Sequence, residues 1–295
     1  MNLYLSESHD PYLNLALEQE LFERREEAVY LWCNAPCVVI GRNQNPYKEA
    51  DLGYMGPHGV SLVRRRTGGG AVFQDLGNLN YSYFTACDSP AYILDLVKEV
   101  LAGLGITAEL SGRNDLLVAG KKISGTAFLY DDFYLYHGTL LVDVSKEEME
   151  KCLRPSALKL RAKGIDSVRA RVVNLRELSD TITVKELVRR FEETLGAKAE
   201  PAPINGCVRE IAQELRSEHW LYGESPQYEL SLERRLGGNL YQFELCIEQG
   251  RIRGLNLYTD ALTAPDTETV RAYFLKKVFS TEAFDTQLAE CPVSW

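Results

Sequence analysis

Arg64-Arg65-Arg66-Thr67-Gly68-Gly69-Gly70-Ala71-Val72-Phe73 sets three cations, a hydroxyl and three successive glycines between two apolar runs, the first of which covers residues 60–63. Three glycines in a row leave the backbone free to reach positive φ and to turn its amides outward. Amides beside guanidinium groups form a concave nest for an anion, phosphate above all. The same residues also suit a glycine-rich turn whose arginines lie in water. A second cationic segment with a glycine, Lys121-Lys122-Ile123-Ser124-Gly125-Thr126-Ala127, favours the anion site.

Length and charge bound what lies around these segments. The chain has 295 residues, enough for one large unit and a small one. A formal net charge of −9 argues against a general nucleic-acid binder, which carries a basic excess, and leaves room for a local cationic site. No apolar run is long enough to span a bilayer, and the first residues lack a signal-peptide pattern, so the expected location is the cytosol. Seven cysteines, scattered and odd in number, do not make a disulfide framework. Cys33 and Cys37 form the one close pair, with no histidine beside them to complete a zinc site.

Outward from the glycine turn, Asp10-Pro11 starts a helix over residues 11–24, read with Glu18, Glu20, Glu23 and Arg24 off its apolar stripe. Residues 29–32 and 37–40 read as a hairpin about Asn34-Ala35-Pro36. Gly41-Arg42-Asn43-Gln44-Asn45 is polar and suits either a ligand-facing or a solvated loop. A strand over residues 79–84 and an amphipathic helix over 91–104 follow. Residues 106–144 form a run of strands, with Ala119-Gly120 as a tight turn between residues 115–118 and 121–124. Strict alternation would put Lys122, Ser124 and Thr126 on one polar face and Ile123, Gly125 and Ala127 on the core face.

Beyond residue 144, short helices are expected at 146–153, 184–195 and 208–218. A basic segment lies at 158–174, with Lys159, Arg161, Lys163, Arg169 and Arg171, and a connector at 196–206. From residue 228 the pattern changes to two strands, 240–247 and 251–257, and a helix over 267–279. The expected division is a large unit of residues 1–225 and a small accessory unit of 226–295.

The run from Arg64 to Asn78, then Asn114-Asp115, Lys121 to Ala127, His137-Gly138-Thr139-Leu140-Leu141 and Lys163 to Arg169 resembles the lipoate–protein ligase family, block by block and in order. The opening helix (Tyr12 to Glu18) and the segment from Trp220 to Pro226 match as well. The resemblance implies an α/β (α+β) catalytic domain of the biotin and lipoate ligase type, with mixed and antiparallel sheets flanked by helices, and a small C-terminal α+β domain. It implies ATP, Mg²⁺ and lipoate as cofactors and substrate, and a lipoyl-AMP intermediate. The partner is then a lipoyl-acceptor domain, of a 2-oxoacid dehydrogenase or the glycine-cleavage H protein, with neither nucleic acid nor membrane. Carried over by position, Arg65 holds the acyl carboxylate and phosphate. Thr67, Gly68, Gly69, Gly70, Ala71, Val72, Phe73 and Asn78 line the substrate and nucleotide, Phe73 also covering the acyl tail. Lys122 is the catalytic cation, and His137 lies beside the acyl chain. Asn114 and Asp115 are the metal or ribose contacts.

Three residues depart from the family pattern: Gln74 stands for a common His, Thr67 for Ser, and Ala170 for Ser. The C-terminal unit is also shorter than in some members. Two rival readings remain: an ATP-independent octanoyl or lipoyl transferase of the same fold, which in some relatives needs a cysteine thiolate, and a non-catalytic acyl-binding protein.

Overall fold

The computed structural model describes residues 1–88, 90–111, 115–154, 172–222, 230–248, 251–279 and 281–295. The chain opens with β1 (Asn2–Leu5), α1 (Pro11–Glu23), β2 (Ala28–Trp32) and β3 (Cys37–Ile40). Two single turns, α2 (Pro46–Glu49) and α3 (Leu52–Met55), lead to β4 (Ser61–Arg64), β5 (Val72–Gln74) and β6 (Asn78–Thr85). After α4 (Pro90–Ala102) come β7 (Glu109–Ser111), β8 (Asp115–Val118), β9 (Lys121–Tyr130) and β10 (Tyr134–Leu141). The elements α5 (Lys146–Cys152), α6 (Val184–Leu195), β11 (Glu200–Pro201), α7 (Gly206–Arg216) and α8 (Glu218–Tyr222) follow. The chain closes with β12 (Leu230–Leu236), β13 (Asn239–Glu248), β14 (Arg251–Thr259), α9 (Thr267–Phe274) and α10 (Thr281–Ala289).

Eight strands form the main sheet in the order β11-β1-β2-β6-β10-β9-β8-β7, parallel at β11-β1-β2 and antiparallel beyond. One face is covered by α4 and α6 over a core that includes Val29, Tyr81, Tyr136, Leu116 and Phe191. The other carries α1, α7 and part of a three-stranded sheet, β4-β3-β5, over Tyr30, Trp32, Phe84 and Leu135. The expected mixed α/β architecture is therefore present. Asn114, Gly164-Ile165-Asp166-Ser167-Val168, Ala170 and most of the basic run lie in 112–114 and 155–171, outside the described residues, as does Gly223 to Pro226.

The hairpin expected of residues 29–40 does not form. β2 lies between β1 and β6 in the main sheet, while β3 lies between β4 and β5 in the small one. The cause is the turn itself. Asn34 is fully buried and bonded to Asn14 of α1 and to Gln74, so the turn is anchored inside and hands the chain from one sheet to the other. At the start of α1, the Asp10 carboxylate accepts from the amides of Tyr12 and Leu13, a cap that stabilises by about 1 kcal/mol. Asn14, Glu18 and Gln19 are buried in this helix, so Glu18 leaves the polar face that the pattern suggested, while Glu23 and Arg24 stay exposed.

Residues 230–295 add a third core of Tyr241, Phe243, Phe274 and Phe284 behind the antiparallel β12-β13-β14 sheet. The strand β12 and the helix α10 are additions to the expected elements, and the helix from Thr267 ends at Phe274, five residues early. Bonds among the described residues tie this part to the glycine turn and the loop after β3. The Gly69 N–H donates to the Ala261 carbonyl (3.1 Å), the Thr259 N–H to the Asn43 carbonyl (2.6 Å), and Asn45 Nδ2 to Glu244 Oε1 (2.8 Å).

Candidate active site

A cavity of about 1450 Å³ lies between the main sheet, the glycine turn and the C-terminal residues. Its walls include Gly69, Gly70, Ala71 and Val72 on one side, Lys122, Asp115 and Gly125 on another, and Leu262 to Pro265 from the C-terminal part. Leu15, Trp32, Val39, Val72 and Ala127 give it apolar surface, and Gln74, Asn80 and His137 give it polar surface.

Each arginine of the triplet has its own task. Arg64 is buried and donates to the carbonyls of Gly41, Arg42, Gln44, Trp220 and Leu221 at 2.6–3.3 Å. It clamps the loop after β3 to the end of α8. Arg65 is also buried. Its Nε donates to Thr67 Oγ1 at 2.9 Å, its Nη1 to the Val39 carbonyl at 3.2 Å, and its Nη2 to the carbonyls of Gly68 (2.7 Å) and Gly70 (2.8 Å). Burial lowers both guanidinium pKa values to about 10, because desolvation penalises the charge. Arg66 is partly exposed, 3.6 Å from a Glu214 oxygen and over the face of Trp220, whose ring Arg42 also covers. Arg65 thus shapes the turn from within and also stands on the cavity wall, where the sequence reading had it holding a ligand carboxylate.

The glycines serve close approach as much as conformation. A Cβ on Gly68 would lie 2.3 Å from the Leu262 carbonyl oxygen and 2.4 Å from that of Ala261. Gly69 has φ +93°, and a Cβ on Gly41 would lie 2.2 Å from its carbonyl oxygen. The loop at Gly41 to Asn45 therefore braces the turn through Gly41, with Gln44 and Asn45 buried and Arg42 exposed. The Gly69 amide is taken by Ala261, so it is not among the outward amides first expected.

Lys122 shares the cavity side with Gly125, three residues on, because β9 bulges between them. Leu116 pairs with Ser124 and Leu117 with Lys122, so Ile123 has no opposite number. Such a bulge shifts the alternation by one. Lys122, Gly125 and Ala127 face the cavity, while Ser124 and Thr126 meet the Tyr81 hydroxyl at 3.1 and 3.2 Å, Thr126 still contributing to the cavity wall. The strict alternation read from sequence is thereby corrected. The Lys122 ammonium lies 2.7 Å from Asp115 Oδ1, and a Cβ on Gly125 would sit 2.6 Å from it. Glycine at 125 is what gives the amine its place.

Other expected residues fall off the cavity wall. Phe73 alternates with Val72 and Gln74 and points into a separate core with Val38 and Ile40, so it cannot cover an acyl tail there. Asn78 is fully buried and donates to Asn80 Oδ1 at 3.0 Å, behind the wall. Gln74 accepts from Asn34 and donates to Asn80, an amide pair that leaves no proton-transfer group where many relatives of the suspected family have His. No group of three or more His, Cys, Asp or Glu that could hold a metal is present among the described residues.

Sequence reasoning missed Glu18. It is 4% exposed, and its Oε1 accepts from His137 Nδ1 at 2.8 Å and from the Ser82 hydroxyl at 2.5 Å. His137 Nε2 lies 2.9 Å from Thr67 Oγ1. The one available signal was Asn14 and Glu18 four apart on a helix with apolar residues on all sides. Polar groups there must find buried partners.

Comparison with known proteins agrees with the block order. The family described as the lipoyl protein ligase A/B catalytic domain matches residues 10–196. A lipoate-protein ligase A of Bdellovibrio bacteriovorus is 36% identical over 283 residues, covering 89% of this chain and 84% of that one. Among solved structures, the bipartite lipoate protein ligase of Thermoplasma acidophilum, described with its E2 lipoyl domain, superposes with a TM-score of 0.64 at 28% identity, over 78% of this chain and all of that one. A lipoate-protein ligase A bound with ATP gives 0.62 at 27%, over 76% and 99%. Plasmodium falciparum LipL1 in complex with lipoate gives 0.79 at 24%, over 99% and 95%, a likeness of fold.

Proposed function

Because the chain belongs to the lipoyl protein ligase A/B family, we infer that it is an ATP-dependent lipoate–protein ligase working in two half-reactions. In the first, the lipoate carboxylate attacks the α-phosphorus of ATP and pyrophosphate leaves, giving lipoyl-AMP. In the second, the ε-amine of a lysine on an acceptor domain attacks the acyl carbon and AMP leaves. The acceptor is a lipoyl domain of a 2-oxoacid dehydrogenase or the glycine-cleavage H protein. Both steps gather negative charge at one place, so catalysis rests on fixed cations, backbone dipoles and exclusion of water.

The observation that carries this reading is Lys122, held on a bulged strand and facing the Gly69–Val72 wall across one large cavity. Its ammonium is paired with the Asp115 carboxylate at 2.7 Å. An arriving phosphate and acyl carboxylate offer more negative charge than Asp115 does, so the amine can transfer to them. We assign Lys122 to the α-phosphate and acyl carbonyl, and the backbone of Gly70, Ala71 and Val72 to the nucleotide. Arg65, Thr67, Gly68 and Gly69 hold that backbone in shape. Leu15, Val39, Val72 and Ala127 suit the acyl tail, at about 0.8 kcal/mol per buried methylene, and His137 lies beside it.

Magnesium commonly takes only one or two carboxylates and completes its shell with phosphate and water. Asp115 fits that role once Lys122 has left it for the phosphates. The ion would offset charge on the triphosphate. The division into a catalytic unit of residues 1–225 and an accessory unit of 226–295 belongs to the same reading, supported by the separate aromatic core of Tyr241, Phe243 and Phe274.

The transferase alternative would need a thiolate at the cavity. No cysteine lines the cavity. Burial raises the thiol pKa of Cys33 to about 12 and of Cys152 to about 11, and pushes that of Cys37 higher still. The test is purified protein with lipoate and an acceptor domain, with and without Mg-ATP, read by intact mass. Modification only with Mg-ATP, with pyrophosphate released, is the expected result. Modification from an octanoylated carrier without ATP would replace the ligase by the transferase, and binding without modification would leave the acyl-binding protein.

A further inference from the structure

We infer that Glu18 is a positioning residue for carboxylate activation, acting on the glycine turn through His137 and Thr67; this rests on the ligase reading above. The side chains form one buried line. Trp32 Nε1 donates to Ser82 Oγ at 3.1 Å, so the Ser82 proton is directed to Glu18 Oε1 at 2.5 Å. The same oxygen faces His137 Nδ1 at 2.8 Å. A carboxylate that already receives one proton donor calls for a second, which places the imidazole hydrogen on Nδ1. Nε2 is then a bare lone pair and accepts from the Thr67 hydroxyl at 2.9 Å. Thr67 Oγ1 in turn accepts from Arg65 Nε at 2.9 Å, and Arg65 Nη2 ends the line on the carbonyls of Gly68 and Gly70.

Every proton in this line has one consistent place, and the direction is set at Glu18. Glu18 is also the charged neighbour that favours the charged form of the buried Arg65 guanidinium. With the other imidazole tautomer, Nε2–H would point at Thr67 Oγ1, which already accepts from Arg65. The hydroxyl hydrogen would lose its acceptor, and the guanidinium that spans Gly68 and Gly70 would have to move. The wall against which the nucleotide is placed would move with it.

The order carboxylate, imidazole, hydroxyl is that of a nucleophilic triad, yet Thr67 is not a nucleophile. Its oxygen accepts a charge-assisted bond from a guanidinium, which lowers its basicity. It is 2% exposed, and it does not line the large cavity. The line holds geometry and moves no proton to substrate.

The test is Glu18→Gln in the full chain, with ring-¹⁵N histidine labelling. The chain has four histidines, so one spectrum of His137→Asn identifies the resonance. Expected for the parent is a single Nδ1–H tautomer at His137. In Glu18→Gln the amide can present either its oxygen or its NH₂ to Nδ1, and a mixture of tautomers should result. Pyrophosphate release with lipoate and Mg-ATP should fall about 30-fold in kcat with little change in KM for ATP. Transfer from supplied lipoyl-AMP to an acceptor domain should fall less than threefold, and the melting temperature should stay near that of the parent. A variant with a single parental tautomer and the parental kcat would overturn the assignment, as would equal loss in both half-reactions together with a large drop in melting temperature. A parent that releases no pyrophosphate would instead defeat the ligase reading, and the ring spectra would still report on the proton line.

Discussion

At the end of β4, Arg64 and Arg65 donate to eight backbone carbonyls and one hydroxyl between them, and both are buried. Across the cavity, on β9, the Lys122 ammonium is partly open and, among the described residues, meets the carboxylate of Asp115. The first region spends its charge on the chain itself and gains a fixed shape. The second keeps its charge exchangeable. A guanidinium suits the first task, because its planar fork can satisfy several acceptors at once; a compact ammonium on a flexible stem suits the second. Charge in a sequence therefore does not tell which task it performs. The number of acceptors around it does.

The sharpest way to break this contrast is Lys122→Met. We expect adenylate formation to fall by about 10³-fold, measured as pyrophosphate release, with thermal unfolding nearly unchanged. Unfolding of this variant, or release at the parental rate, would erase the distinction. Arg64→Met should do the reverse. It strands buried carbonyls in the loop after β3 and at the end of α8, and urea unfolding should show a loss of about 3 kcal/mol or more. The rate per folded molecule should fall less than the rate of the lysine variant does.

A pair of glycine changes refines the fixed side of the contrast. Gly68→Ala sets a methyl against the Ala261 and Leu262 carbonyls, whereas Gly70→Ala meets nothing within 4 Å. The first should destabilise by about 1–3 kcal/mol and raise amide exchange at Gly69; the second should stay within about 0.5 kcal/mol. Equal effects would mean that the turn is not braced by the C-terminal segment. The smallest effect belongs to Arg66→Ala. Its ion pair with Glu214 is long and solvent-exposed, and its contact with Trp220 is shared with Arg42. A change below about 1 kcal/mol is expected, and a larger one would move Arg66 into the class of its two neighbours.

Much of this was legible in the chain itself. The glycine turn, the Ala119-Gly120 hairpin and the opening helix with its Asp10 cap all carry local signals, and each stands where it was expected. What was not legible depends on partners distant in sequence. Whether residues 29–40 close a hairpin was decided by Asn34 bonding to Asn14 and Gln74. Which way Arg65 points was decided by carbonyls from Val39 to Gly70. Glu18 read as surface because a charged residue on a helix usually is, and partners distant in sequence, Ser82 and His137, give it a reason to be inside.

The unmatched Ile123 of β9 has a consequence for how such chains diverge. The sheet accommodates it as one extra residue, which adds an apolar side chain to the inner layer while its neighbours keep their sides. Excising it would leave a straight ladder in which the amine and Gly125 still look the same way. The spacing between those two residues is thus free to be two or three. What descent has to preserve is the side of the sheet, and counting residues between motifs would overlook that equivalence.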